Sequence, residues 1–126
     1  MGWKVEHNDK LGIITLTYTG FMSAMDYFDS TIRAIELSNQ KKIYRGLIDS
    51  RRVQTNVAKA DLFKFPFSVY NDWGLNKTAR IAVIEPLDQA ARDLNSFFII
   101  SCNNLGWRAQ SFAKRKNALK WLLEDN

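Results

Sequence analysis

The sequence predicts an α/β fold, with a mixed, largely parallel five-stranded sheet in the order ββαβαβαβα and helices packed mainly on one side. Short runs rich in β-branched residues alternate with longer amphipathic runs along the whole chain. The segments between strands are long enough for helical crossovers, which join parallel strands. The length of 126 residues fits one domain, residues 1–126, that folds without a metal or disulfide.

The chain is predicted to begin with a hairpin that adds an antiparallel edge to the sheet. Residues 3–8 and 11–18 are the two strands, because a turn-prone segment at residues 8–10 separates them. Gly20 is expected to break the second strand.

Three further strands are predicted at residues 43–48, 79–84 and 107–112. The polar segment 49–52 is expected to leave the third strand of the sheet at its carboxyl end. Residues 81–84 are apolar without alternation, which is typical of a strand covered on both faces.

Helix starts are marked by capping residues. Ser23 with Asp26 three positions later resembles a capping box and predicts a helix that ends near Asn39. Asp88 is predicted to cap a helix that runs to about residue 105. A last helix is predicted over residues 117–124.

The segment after the third strand predicts a broken helix. Residues 57–64 favour a helix opened by Thr55 or Asn56, and Pro66 must break or kink it because proline lacks the amide donor. A further helical turn is expected to reach Trp73.

Composition excludes several classes of protein. The single cysteine, Cys102, cannot form an internal disulfide or a structural zinc site, and the single histidine, His7, has no motif spacing to other ligands. We therefore expect no metal and no cofactor. Without an apolar leader or a run of about 18 apolar residues, the chain is predicted to be cytoplasmic with no membrane span. Nucleic acid is an unlikely partner, because the basic residues behind the net charge of +5 are scattered.

Several segments carry a family resemblance. The stretch 105–112 is a strand that finishes in Phe112, and residues 118–122 read Ala-x-x-Trp-Leu. Together with the central segments 46–49 and 79–84, they resemble the SpoIIAA-like family of small bacterial proteins. The resemblance spans nearly the whole chain. It implies the STAS-type fold of anti-sigma-factor antagonists and an uncharacterised, non-enzymatic role. Some relatives of this architecture bind lipids, nucleotides or protein partners.

One departure from that family concerns regulation. The antagonists carry a phosphorylatable serine in an Asp-Ser-x-Gly turn, whereas Asp49 and Ser50 are followed by two arginines. Ser50 and Thr55 remain candidate phosphorylation sites, because a phosphate near a helix start would be stabilised by the dipole and by Arg51 or Arg52. The alternative is that Thr55 is a simple helix cap.

Candidate contact residues fall into two groups near the third strand. Asp49, Ser50 and Arg51 lie where ligands bind in open α/β sheets, although Asp49 would serve equally as a turn residue. Aromatic side chains crowd the proline-broken segment, and not all of them can turn inward, so some are expected to line a groove or meet another chain. They are Phe63, Phe65, Phe67, Tyr70 and Trp73.

Two more surfaces are predicted. Lys114, Arg115, Lys116 and Lys120 form a basic patch at the start of the last helix. This placement opposes the helix dipole, which indicates either an acidic partner or a solvent-screened surface. The helix before it is apolar around most of its circumference, which favours a homodimer. The candidate dimer residues are Phe97, Ile99 and Ile100.

The sequence favours a non-catalytic binding or regulatory module over an enzyme. It would recognise a protein partner or a small apolar or lipid-like ligand through the aromatic segment. A small-molecule hydrolase using Asp49, Ser50 and Tyr70 is an alternative, but no general base stands at motif spacing to activate Ser50. A weak nucleic-acid binder is the second alternative.

Overall fold

The computed structural model describes residues 2–58, 61 and 68–124. The strands are β1 (Trp3–Asn8), β2 (Ile13–Phe21), β3 (Arg45–Gln54), β4 (Arg80–Ile84) and β5 (Arg108–Phe112). The helices are α1 (Ala24–Lys41), α2 (Tyr70–Asp72), α3 (Gln89–Asn104) and α4 (Arg115–Leu122). None of these helices is long and apolar enough to cross a bilayer.

The five strands form one sheet in which spatial order follows chain order, β1-β2-β3-β4-β5. β1 and β2 pair antiparallel, and the remaining neighbours pair parallel. The predicted α/β class with a mixed, largely parallel five-stranded sheet is confirmed.

This order places the crossovers on one side. Each parallel step adds a strand at the same edge, and right-handed connections then put α1, α2 and α3 on the same face of the sheet. We call it the helical face; its strand residues include Ile14, Ile48 and Ile81. On the opposite face, α4 packs Ala118 and Leu122 over a second apolar cluster.

β2 and β3 are longer than the sequence indicates. Gly20 was expected to end β2 but lies inside it, where its φ of 68° is tolerated because glycine has no Cβ. A register shift between Thr17 and Thr19 lets the strand continue, so that Gly20 pairs with Val53. The prediction that residues 49–52 leave the strand is wrong, because this new pairing holds β3 as far as Gln54.

Both predicted caps are present. The Ser23 hydroxyl accepts from the Asp26 amide at 3.2 Å, and the Asp26 carboxylate accepts from the Ser23 amide at 3.0 Å. Asp88 accepts from the Ala91 amide at 3.0 Å and starts α3. The last helix begins at Arg115 instead of residue 117.

The predicted helix after β3 is only partly within the described residues. Val57 and Ala58 lie outside any helix, and residues 59–60 and 62–67, with Pro66, lie outside the described part of the chain. The further helical turn before Trp73 is present as α2.

Candidate functional site

An apolar cavity of about 120 Å³ lies between the helical face of the sheet and helices α1 and α3. Branched side chains of β2, β3 and β4 line it together with side chains from the two helices. The main ones are Ile14, Ile48, Ile81, Val83, Ile35 and Phe98. An engineered cavity of about 150 Å³ lined by such residues stays dry and binds benzene. This cavity is therefore of the right size for one aromatic ring.

Tyr70, the first residue of α2, lines this cavity. Its ring meets Trp107 edge to face with the centroids 5.4 Å apart, and Phe98 in the same way at 6.3 Å. Burial raises the pKa of the Tyr70 hydroxyl well above its usual range. The hydroxyl is consequently neutral at physiological pH.

Other hydroxyls beside the cavity are engaged within the protein. Ser50, which is buried, donates to the Ile84 carbonyl oxygen at 2.8 Å. The Tyr18 hydroxyl accepts from Ser30 at 3.3 Å, and burial raises its pKa. These contacts engage the buried hydroxyls of Ser50 and Tyr18 within the protein.

The described cavity lining includes no aspartate, glutamate, lysine or histidine. Arg45 and Arg80 border it, but they share the pleat direction of Leu47 and Ala82, whose side chains belong to the opposite face. Both guanidinium groups are therefore directed away from the cavity. The environment favours a neutral occupant, because an unpaired buried ion is strongly destabilised.

The candidate residues at the carboxyl end of β3 are split between the two faces of the sheet. Ser50 lines the cavity with Tyr70. Asp49 lies in register with Ile84, on the opposite face. Its carboxylate accepts from Arg51 Nε at 3.0 Å and from the terminal guanidinium nitrogen at 2.8 Å. The predicted cluster of Asp49, Ser50 and Arg51 is thus not a single constellation around the cavity.

The Arg51 contact lowers the pKa of the Asp49 carboxyl, with Arg115 adding a weaker attraction. A carboxyl group whose pKa is lower in the folded protein stabilises the fold at pH values above its unfolded pKa of 3.8. That stabilisation is lost as the pH falls through the folded pKa.

We expect Asp49→Asn to reduce the free energy of unfolding by at most about 1 kcal/mol at pH 7, because Arg51 is half exposed. The difference should vanish near pH 2, as measured by urea unfolding. Glu6→Gln, in the exposed pair with Lys4, is the control expected to change nothing.

The two candidate phosphorylation sites are buried. Thr55 donates to the Met22 carbonyl oxygen at 3.0 Å and accepts from the Val57 amide at 3.1 Å, which fixes the turn after β3. Ser50 is held by Ile84 as described. A kinase would have to open the end of β3 to reach either hydroxyl, and phosphorylation stays a prediction.

The other aromatic candidates either do not line the cavity or lie outside the described residues. Phe63, Phe65 and Phe67 lie outside the described residues. Trp73 follows α2 and is 47 % exposed. Tyr70 is the candidate of this group whose position beside the cavity is established.

The basic patch is exposed, as Lys114, Arg115, Lys116 and Lys120 all face outward. The end of the same helix has a cation that the sequence analysis missed. Arg80 is only 5 % exposed. It donates to the Trp121 carbonyl oxygen at 2.8 Å and to the Glu124 carbonyl oxygen at 2.9 Å. A positive group at the carboxyl end of a helix is favourable. The sequence pattern that could have indicated this contact is an arginine directly before an apolar strand.

The candidate dimer residues lie on the outer part of α3. Phe97 and Ile99 are half-buried, and Ile100 is 60 % exposed. Cys102, on the inner part, is fully buried, and burial raises the pKa of its thiol. Low thiolate content makes Cys102 a packing residue, and the homodimer stays a prediction.

The chain matches no protein-family model and no curated sequence. Among the described residues, no group of three His, Cys, Asp or Glu side chains is placed to hold a metal ion.

Proposed function

We propose that this protein is a non-catalytic binding or regulatory module of the SpoIIAA-like type that takes up a small apolar ligand in the cavity beside Tyr70. The observation that carries the proposal is an apolar space of about 120 Å³, bordered by a residue of the aromatic segment after β3. A protein partner was the other expectation for this segment. A space of this volume between the sheet and the helices favours a small ligand, because a protein surface is too large to fill it.

The SpoIIAA-like, STAS-type assignment is supported by the element order and by the ending of the chain. β5 finishes at Phe112, and Ala118, Trp121 and Leu122 follow on α4 in the spacing of the family. A helix from the segment after β3 packs on the same face as α1, as that architecture implies.

The absence of catalysis is supported by the state of the candidate nucleophiles. The Ser50 proton is directed at a main-chain carbonyl, which is no base. Burial raises the pKa of both Tyr70 and Cys102, so neither is ionised at neutral pH. These groups stabilise packing and offer no activated nucleophile.

We expect toluene to bind in the cavity and shift the isoleucine methyl resonances of the helical face. Burial of one aromatic ring removes about 150–250 Å² from water. At about 25 cal/mol/Å² this corresponds to a dissociation constant on the order of 0.03–2 mM. Methyl NMR titration would follow Ile14, Ile48 and Ile81. Ile13 and Ile84, on the opposite face, are internal controls expected to remain unchanged.

A cavity-filling variant sharpens the test. Gly46 lines the cavity, and a Cβ there would meet only the Arg80 carbonyl oxygen at 3.8 Å, an ordinary contact. Gly46→Val should therefore fold and abolish toluene binding. Ala82→Val adds two carbon atoms to the opposite face, against three for Gly46→Val, and should leave binding intact. Toluene shifts that persist in Gly46→Val, or their absence in the wild-type protein, would refute the proposed function.

A further inference from the structure

The Tyr70 hydroxyl has no hydrogen-bond partner within residues 2–58, 61 and 68–124, although the side chain is only 5 % exposed. In the same part of the chain, every side-chain nitrogen or oxygen that is fully shielded from solvent has a hydrogen-bond partner. The Tyr70 hydroxyl therefore borders on open space, and the open space that Tyr70 lines is the cavity.

A buried hydroxyl without a partner lowers stability by about 1–3 kcal/mol, so a ligand oxygen that satisfies it gains affinity. Tyr70 is neutral and can donate its proton. Ser38 and Ser50, by contrast, already donate to the carbonyl oxygens of Ile43 and Ile84, and the Tyr18 hydroxyl is hydrogen-bonded with Ser30 and Thr31. Among the buried hydroxyls of the described lining, Tyr70 is thus the one left to donate to a ligand oxygen.

The positions of the charged side chains further restrict the chemical class of the ligand. The guanidinium of Arg80 is bound to carbonyl oxygens at the end of α4, and the side chain of Arg45 lies on the opposite face. A carboxylate or ammonium in the cavity would be desolvated without an opposite charge, which is strongly unfavourable.

We infer that the ligand is a neutral, benzene-sized molecule with one oxygen, such as a phenol, alcohol or ketone, whose oxygen accepts a hydrogen bond from the Tyr70 hydroxyl. This inference rests on the proposed function and adds the chemical class of the ligand. It assigns Tyr70 as the specificity-determining residue of the cavity.

The test compares phenol with toluene, which have equal numbers of heavy atoms, on the wild-type protein and on Tyr70→Phe. The variant keeps the ring that packs against Phe98 and Trp107. We expect it to weaken phenol binding roughly two- to tenfold, the worth of one net hydrogen bond. Toluene should bind Tyr70→Phe at least as well as the wild-type protein. Tyr18→Phe is the matched control, because its hydroxyl is already paired with Ser30, and it should leave the ratio of the two affinities unchanged.

The outcomes separate the two proposals. If neither compound shifts the methyl resonances of the helical face, both the proposed function and this inference fail. If toluene binds but phenol affinity is the same in the wild-type protein and Tyr70→Phe, this inference alone is overturned. Benzoate binding as tightly as phenol would likewise overturn the neutral-ligand requirement. A 13C label at Cζ of Tyr70 in the wild-type protein gives a second measurement: phenol should shift it more than toluene does.

Discussion

Trp107→Ala is expected to lower the free energy of unfolding by about 3–5 kcal/mol, the largest effect of any single substitution considered for this chain. Trp107 is 1 % exposed and supports Tyr70 edge to face at 5.4 Å. Its indole nitrogen donates to the Asn76 carbonyl oxygen at 3.2 Å, and the Lys77 ammonium lies 3.4 Å from the ring centroid. Truncation leaves a large void and removes these contacts together.

The loss is to be measured by urea unfolding followed by far-ultraviolet circular dichroism, since tryptophan fluorescence changes with the substitution itself. Domains of this kind are stable by only about 5–15 kcal/mol, so the midpoint should fall substantially. Trp73→Ala is the matched control, because Trp73 is half exposed, and it should change stability by well under half as much. Equal losses for the two variants would contradict the assigned packing of Trp107.

Arg80→Met is expected to lower the free energy of unfolding by about 2–4 kcal/mol. Methionine retains the length and much of the packing of the side chain against Trp121, whose ring lies 5.7 Å from the guanidinium carbon. The substitution leaves the carbonyl oxygens of Trp121 and Glu124 without the donor that binds them at the end of α4. Unsatisfied carbonyls at a helix end and loss of a charged hydrogen bond account for the estimate.

Arg108→Met provides the comparison for Arg80. Arg108 pairs with Arg80 across β4 and β5 but is exposed, so its loss should be nearly neutral. Hydrogen exchange gives a local readout: amides of α4 should exchange faster in Arg80→Met, whereas those of α1 should respond only to the global change. Unchanged exchange in α4 would show that Arg80 does not hold that helix.

Local chemistry made much of the fold predictable. Ser23 with Asp26, and Asp88, are short-range caps, and both behave as their sequence context indicates. Gly20 and the polar end of β3 were misjudged because their pairing partners are about 30 residues away. No local pattern reports such long-range pairing.

The site was predictable only in part. Tyr70 stood out because aromatic residues crowd the segment after β3, but the cavity beside it arises from how α1, α3 and the sheet pack. Arg80 was missed for a related reason, since its acceptors lie more than 40 residues away. The separation of Asp49 from Ser50 follows directly from strand alternation once β3 is known to continue through them.

The placement of α4 has a consequence for biogenesis. During synthesis, the residues of β2, β3 and β4 that form the second apolar cluster emerge before the helix that shields them. Until that helix docks, the nascent sheet would expose an apolar surface to water and to other polypeptide chains. Docking of α4 therefore covers this apolar surface and lowers the tendency of the newly made protein to aggregate.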